Sequence, residues 1–170
     1  MVTAAMTLQE IEKMIAAVLG GAQARPDDTL SITREFDAPR HLVFAAWTEA
    51  RHQFRWMGPK DFTVLDCQID LRVGGRYRTG IRSPEGQEYW FRGEYREIEA
   101  PARLVFTFAW EEEGERGMEN LVSLEFTEQG GRTRMHFVQA PFQSVSERDS
   151  HMGGWTEAFE RLGDFLGGRR

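Results

Sequence analysis

The 170-residue chain is 41% hydrophobic and 12% aromatic, with a formal net charge of −6 and a pI near 5.3, a balance that suits one globular domain and argues against a binder of nucleic-acid phosphates. Its single cysteine, Cys67, excludes an internal disulfide and a cysteine-based zinc cluster. No apolar run is long enough to cross a bilayer and no basic segment leads into an apolar block, so a cytoplasmic protein without membrane insertion is expected.

Residues 7–19, TLQEIEKMIAAVL, predict an amphipathic helix. Thr7 and Glu10 make a capping-box pattern, and Leu8, Ile11, Ile15 and Val18 form one stripe. The stripe needs a partner, either its own domain or a second copy in a homodimer. GGAQARPDD then reads as a linker, which sets an N-terminal helix and linker over 1–26 apart from a domain over 27–170.

After the linker the period changes to two. LSITREF (30–36) predicts a strand with Leu30, Ile32, Arg34 and Phe36 on one face. Asp37 is placed to cap a helix with Pro39 in its first turn, and Thr48 to cap a second one through Trp56, stopped by Gly58-Pro59. Strands follow over 62–70, 74–82, 88–98, 103–110, 120–126 and 132–139. The first puts Leu65, Cys67 and Ile69 on one face. Leu104, Phe106, Phe108 and Trp110 share a face, as do Val122, Leu124 and Phe126. Gly93 interrupts a strand of large residues and predicts a bulge or sharp bend. The acidic loop 111–119 reads as a solvated hairpin tip. Short connections imply antiparallel neighbours, and polar outer faces imply a one-sided sheet. Ser144 and Glu147 form a capping box that opens a long final helix, the natural cover for that sheet.

On a wheel at about 100° per residue, Met152, Trp155, Phe159, Leu162 and Leu166 cluster on one arc of this helix, flanked by His151 and Ala158. Gly153 falls on the solvent side. Gly154 joins Ala158 in a small-residue shoulder where another group can approach closely.

The stretches TREFDAPRHLVFAAWTEA, FRWMGPKDFTV, DLRVGGRYR, FRGEYREIEAPARLVFTFAW, LEFTEQGGRTRM and HMGGWTEAFERLGDFL occur in this order over residues 30–166. Together they resemble the START-like, helix-grip (SRPBCC) superfamily, and within it the family of homologues of the activator of the heat-shock-protein ATPase. The resemblance implies an α+β fold: a curved antiparallel sheet of six or seven strands gripping the C-terminal helix. It also implies a cavity between them for a small hydrophobic or amphipathic molecule.

The candidate lining follows from facing and parity. Phe106, Phe108 and Trp110 are expected to point at Trp155 and Phe159, with Gly154 and Ala158 leaving room. Arg34 lies on an apolar face and wants a carboxylate, either the ligand's or an internal one such as Glu94. Gln139 shares parity with Met135 and Phe137. Trp56-Met57-Gly58-Pro59 closes the helical insert, with a pocket mouth beside it or Trp56 as an ordinary core anchor. His151 is either a polar contact in the cavity or a hydrogen-bonded packing residue; His41 and His52 are read as surface residues and His136 as outward. No spacing of histidines suggests a metal, no cofactor is indicated, and no nucleophile–base pair stands out. A ligand-binding module is therefore expected. The alternatives are a cyclase or hydrolase using the same cavity, and a partner of a chaperone ATPase.

Overall fold

The computed structural model describes Gln9 and residues 26–168. The predicted helix over 7–19 therefore lies, apart from Gln9, outside the described residues. The first strand, β1 (Leu30–Phe36), runs into two short helices, α1 (Arg40–Thr48) and α2 (Ala50–Trp56). Six more strands follow: β2 (Thr63–Ile69), β3 (Arg76–Arg82), β4 (Glu88–Glu99), β5 (Arg103–Trp110), β6 (Asn120–Gln129) and β7 (Arg132–Ala140). The chain then enters the long helix α3 (Val145–Gly167).

All strands pair antiparallel in one seven-stranded sheet ordered β1-β7-β6-β5-β4-β3-β2. This is the helix-grip α+β fold expected from the sequence. Strands β1 and β2 are consecutive in the chain yet form opposite edges of the sheet. Helices α1 and α2 must therefore cross between the edges, and they do so on the face that also carries α3. Trp47 of α1 is the hub of the layer they fill: its ring packs on Trp56, Phe106, Phe137, Trp155 and Phe159. Its indole N–H points to the sulfur of Met135 at 3.3 Å. The concave row Leu104, Leu124 and Phe137 is fully covered.

Several local expectations are corrected. Pro39 and Glu49, not Asp37 and Thr48, occupy the N-cap positions of α1 and α2, without a side-chain cap at either. The Thr48 hydroxyl instead donates back to the Phe44 carbonyl at 2.9 Å. In β2 the register shifts between Val64 and Asp66, which turns Leu65 outward while Cys67 stays buried. A single extra residue reverses parity on one side of a bulge. Met152 is exposed, because the buried stripe of α3 runs His151, Trp155, Ala158, Phe159, Leu162, Leu166. His52 is buried rather than on the surface: it contacts the Ala45 carbonyl at 3.1 Å and packs on Phe165.

Gly93 marks a close approach, and the shift of register in β4 comes later, between Tyr95 and Glu97. A Cβ on Gly93 would fall on the Thr107 carbonyl and the Tyr77 ring. Its absence lets Tyr77 lie across β4 and donate its hydroxyl to that carbonyl at 2.6 Å. The sheet is also less one-sided than its pattern implies. Val105, Leu121 and Val138 are buried on the convex face, outside the main core cluster.

Candidate functional site

Between the first half of α3 and strands β3, β4 and β5 lies a partly open cavity of about 470 Å³. Such a volume suits a small organic ligand. Its sheet wall is Ile81, Tyr89, Phe91, Phe108 and Trp110; its helix wall is Ser150, His151, Gly154 and Trp155. The segment Met57, Gly58, Pro59 and Phe62 forms the lip. Gly58 turns that segment with φ +105°, a conformation that favours glycine. Arg161 of α3 holds the lip by donating to the carbonyls of Gly58 at 3.0 Å and Pro59 at 2.9 Å.

The aromatic walls are fixed by one another. Phe91 stacks on Phe108 with centroids 5.0 Å apart, and Trp110 meets both edge-on at 5.4 Å. Gly154 faces the cavity, and a Cβ there would meet only Pro59, at 3.6 Å. Nothing lies within 4 Å of the same position on Gly153. The two adjacent glycines therefore differ in kind: one leaves volume at the cavity, the other faces open space.

One end of the cavity is polar. The capping box of α3 forms only by half: Ser144 accepts from the Glu147 amide at 3.1 Å. The Glu147 carboxyl turns away to His151 Nε2 at 3.1 Å and Arg116 Nη1 at 3.5 Å. His151 Nε2 also accepts from the Trp110 indole N–H at 2.9 Å. Burial, reinforced by the Arg116 charge, pushes His151 down to about 4, so the ring is neutral at pH 7. Burial raises the Glu147 carboxyl, against a smaller opposing effect of Arg116. The Glu147–His151 contact is thus a short polar contact and not an ion pair. Arg116 lies over the Trp110 ring at 4.7 Å and pairs with Glu112 at 3.0 Å.

Of the residues expected at the site, Phe108, Trp110, His151, Gly154 and Trp155 line this cavity. Phe106 lines a small adjoining void beneath it, also bordered by Trp155. Trp56, Gln139 and Phe159 are core. Trp56 donates to the Ala46 carbonyl at 2.9 Å. Gln139 accepts from Trp155 at 2.8 Å and donates to Asn120 at 3.0 Å, fixing the indole that forms the cavity floor. Arg34 lies across the sheet, over the Phe36 ring at 5.8 Å and beside Gly163; Glu94 pairs instead with Arg96. His136 faces outward and contacts Thr33 at 2.9 Å. Met57, Gly58 and Pro59, beside which the sequence allowed a pocket mouth, line the lip, whereas Arg116 and Glu112 were not singled out from the sequence. Tyr89 and Phe91 carried a signal in their shared parity on β4.

A protein-family model described as "Activator of Hsp90 ATPase homolog 1-like protein" matches residues 37–167. The chain belongs to this family. Among solved structures, a protein from Nitrosomonas europaea is 25% identical with a TM-score of 0.72, over 85% of this chain and 97% of that one. An AHSA1 protein from Silicibacter pomeroyi is also 25% identical, with a TM-score of 0.73 over 84% of this chain and 99% of the other. A protein from Arthrobacter aurescens is 27% identical, with a TM-score of 0.69 over 83% and 87% of the two chains. A comparison with curated proteins finds no match. Among the described residues, no helix of this AHSA1-family chain is long and apolar enough to cross a membrane.

Proposed function

We propose that this protein binds a small, largely apolar molecule in the cavity between sheet and α3, and does so in the cytoplasm without transforming it. The observation that carries this reading is the cavity itself. It holds about 470 Å³ behind walls of aromatic and aliphatic side chains. Interlocked rings give large contact area at little entropic cost, because their neighbours already fix them. The AHSA1-like fold supports a ligand-binding domain in general. Native mass spectrometry of the purified protein, together with titration of N-phenyl-1-naphthylamine, tests the reading. Binding that is lost in Gly154→Leu is expected. A wild-type protein that takes up neither a co-purifying molecule nor the fluorophore would remove it.

One observation favours a second reading. His151 on the cavity wall contacts the carboxyl of Glu147 behind it at 3.1 Å, a histidine and an acid such as a cyclase or hydrolase would need. A substrate whose turnover vanishes in His151→Ala while its binding survives would replace the carrier reading. The family description names an Hsp90 ATPase activator. That role predicts stimulation of Hsp90 ATPase by the purified chain.

A further inference from the structure

The polar end of the cavity selects a ligand class, and the selection begins with a tautomer. An indole N–H can only donate. Because Trp110 directs its N–H at His151 Nε2 at 2.9 Å, that nitrogen carries no proton while the contact holds. The proton of the neutral ring is then on Nδ1. Both of the ring's polar contacts are made at Nε2, and with that nitrogen unprotonated the contact to Glu147 takes its proton from the carboxyl, whose protonated form burial favours. Nδ1 makes no polar contact with the described residues, and the ring that carries it borders both this cavity and the small void beside Phe142 and Gln143. The ring therefore offers a ligand one donor and no acceptor.

The charges at this end are already committed. The Arg116 guanidinium is held by Glu112 at 3.0 Å and Glu147 at 3.5 Å, with its face against Trp110. The adjoining loop adds Glu113 and Glu115, while its Glu111 is paired with Arg78, so an anion entering here meets a surplus of negative charge. Ser150 is the other polar group on the helix wall.

Resting on the binding reading above, we infer that the ligand is an uncharged, mainly apolar molecule with one accepting oxygen, of ketone or ester type, received by the Nδ1–H of His151. Trp110 is the positioning residue: it fixes the tautomer and touches the ligand only with its ring face.

Three fluorophores separate this inference from the reading beneath it. Prodan is a neutral naphthyl ketone, N-phenyl-1-naphthylamine is neutral without a carbonyl, and 8-anilinonaphthalene-1-sulfonate is an anion. Wild type is expected to bind the first two and to disfavour the third. His151→Phe should weaken prodan by roughly three- to tenfold, the range of one hydrogen bond, and leave N-phenyl-1-naphthylamine within about twofold. His151→Gln, whose amide can accept from Trp110 and still donate, should restore most of the prodan affinity. Nitrogen-15 NMR of the histidine ring should show the proton on Nδ1 in wild type, and a mixture of tautomers in Trp110→Phe. Equal losses of both neutral probes, an Nε2–H tautomer in wild type, or sulfonate binding as tight as prodan would overturn the inference while leaving an apolar cavity. Failure of every probe would remove the binding reading with it. Should His151→Phe not fold, the carbonyl stretch of prodan bound to wild type reads the same bond: a shift to lower frequency than in hexane supports it, and an unshifted band overturns it.

Discussion

Glycine acts at three places here for three different reasons, and substitution separates them. At Gly93 a methyl group would strike the backbone carbonyl of Thr107 in β5 and the buried Tyr77 ring that donates to it. Gly93→Ala should cost roughly 1–3 kcal/mol or more in urea unfolding, the range of an overpacked core. An unchanged midpoint would show that the sheet yields there. At Gly154 a Cβ has ordinary room, 3.6 Å from Pro59, but a longer side chain enters the cavity. Gly154→Ala should therefore be neutral or stabilising by about 0.5–1 kcal/mol, whereas Gly154→Leu should lower N-phenyl-1-naphthylamine affinity. Gly153, with nothing within 4 Å, is the control. Gly153→Leu should leave that affinity unchanged. If both leucine variants bind alike, the ligand does not occupy the space beside α3.

At the scale of elements, the strands β3 and β5 to β7 were legible because each places its large apolar residues at alternate positions on the concave face, even where Val105, Leu121 and Val138 add apolar residues to the opposite one. The misreadings have local physical causes. The bulge at Leu65 reverses parity in mid-strand, which no alternation rule anticipates. Helix α2 spans only seven residues, too short for its period to show that His52 faces inward. Met152 sits at the edge of the buried arc of α3, where a wheel does not separate covered from exposed. Half of the cavity was legible as aromatic parity facing Trp155. The polar end was not, because it depends on the acidic loop folding back so that Arg116 reaches Trp110. One clue did lie in the sequence: the capping-box Glu147 and His151 are four residues apart, on one helix face. The convex face supplies a further test. Val105, Leu121 and Val138 are buried there, while α1 meets β6 and β7 from the concave side, through Phe44 on Phe126 and Trp47 on Phe137. The stripe predicted over Leu8, Ile11, Ile15 and Val18 lies outside the described residues and is expected to need a partner. Deleting residues 1–25 is expected to lower the melting temperature or to change the size by light scattering. A truncated protein unchanged in both would show that the segment is dispensable.

For the whole molecule, the buried histidine of the cavity ties stability to pH with a definite sign. In the unfolded chain His151 takes up a proton near pH 6.5; in the folded protein burial holds it to about 4. Between these values the unfolded state binds more protons than the folded one, so acidification favours unfolding. The stability that a neutral, buried His151 preserves is complete above pH 6.5 and is lost as pH falls toward 4. At 1.36 kcal/mol per pH unit, the loss between pH 7.5 and 4.5 is on the order of 2 kcal/mol. His136, also depressed by burial, acts in the same sense. Glu147, raised by burial, acts in the opposite one, since its folded form holds a proton to higher pH than the unfolded form does. The contribution of His136, which does not contact His151, cancels in the difference between wild type and a His151 variant. His151→Phe cannot bind a proton in either state, so its unfolding free energy should fall by about 2 kcal/mol less than that of wild type between pH 7.5 and 4.5. Urea unfolding of both proteins at the two pH values measures this directly. Equal losses in the two proteins would mean that His151 titrates in the fold as it does in the open chain, and that burial beside Arg116 does not hold its ring neutral.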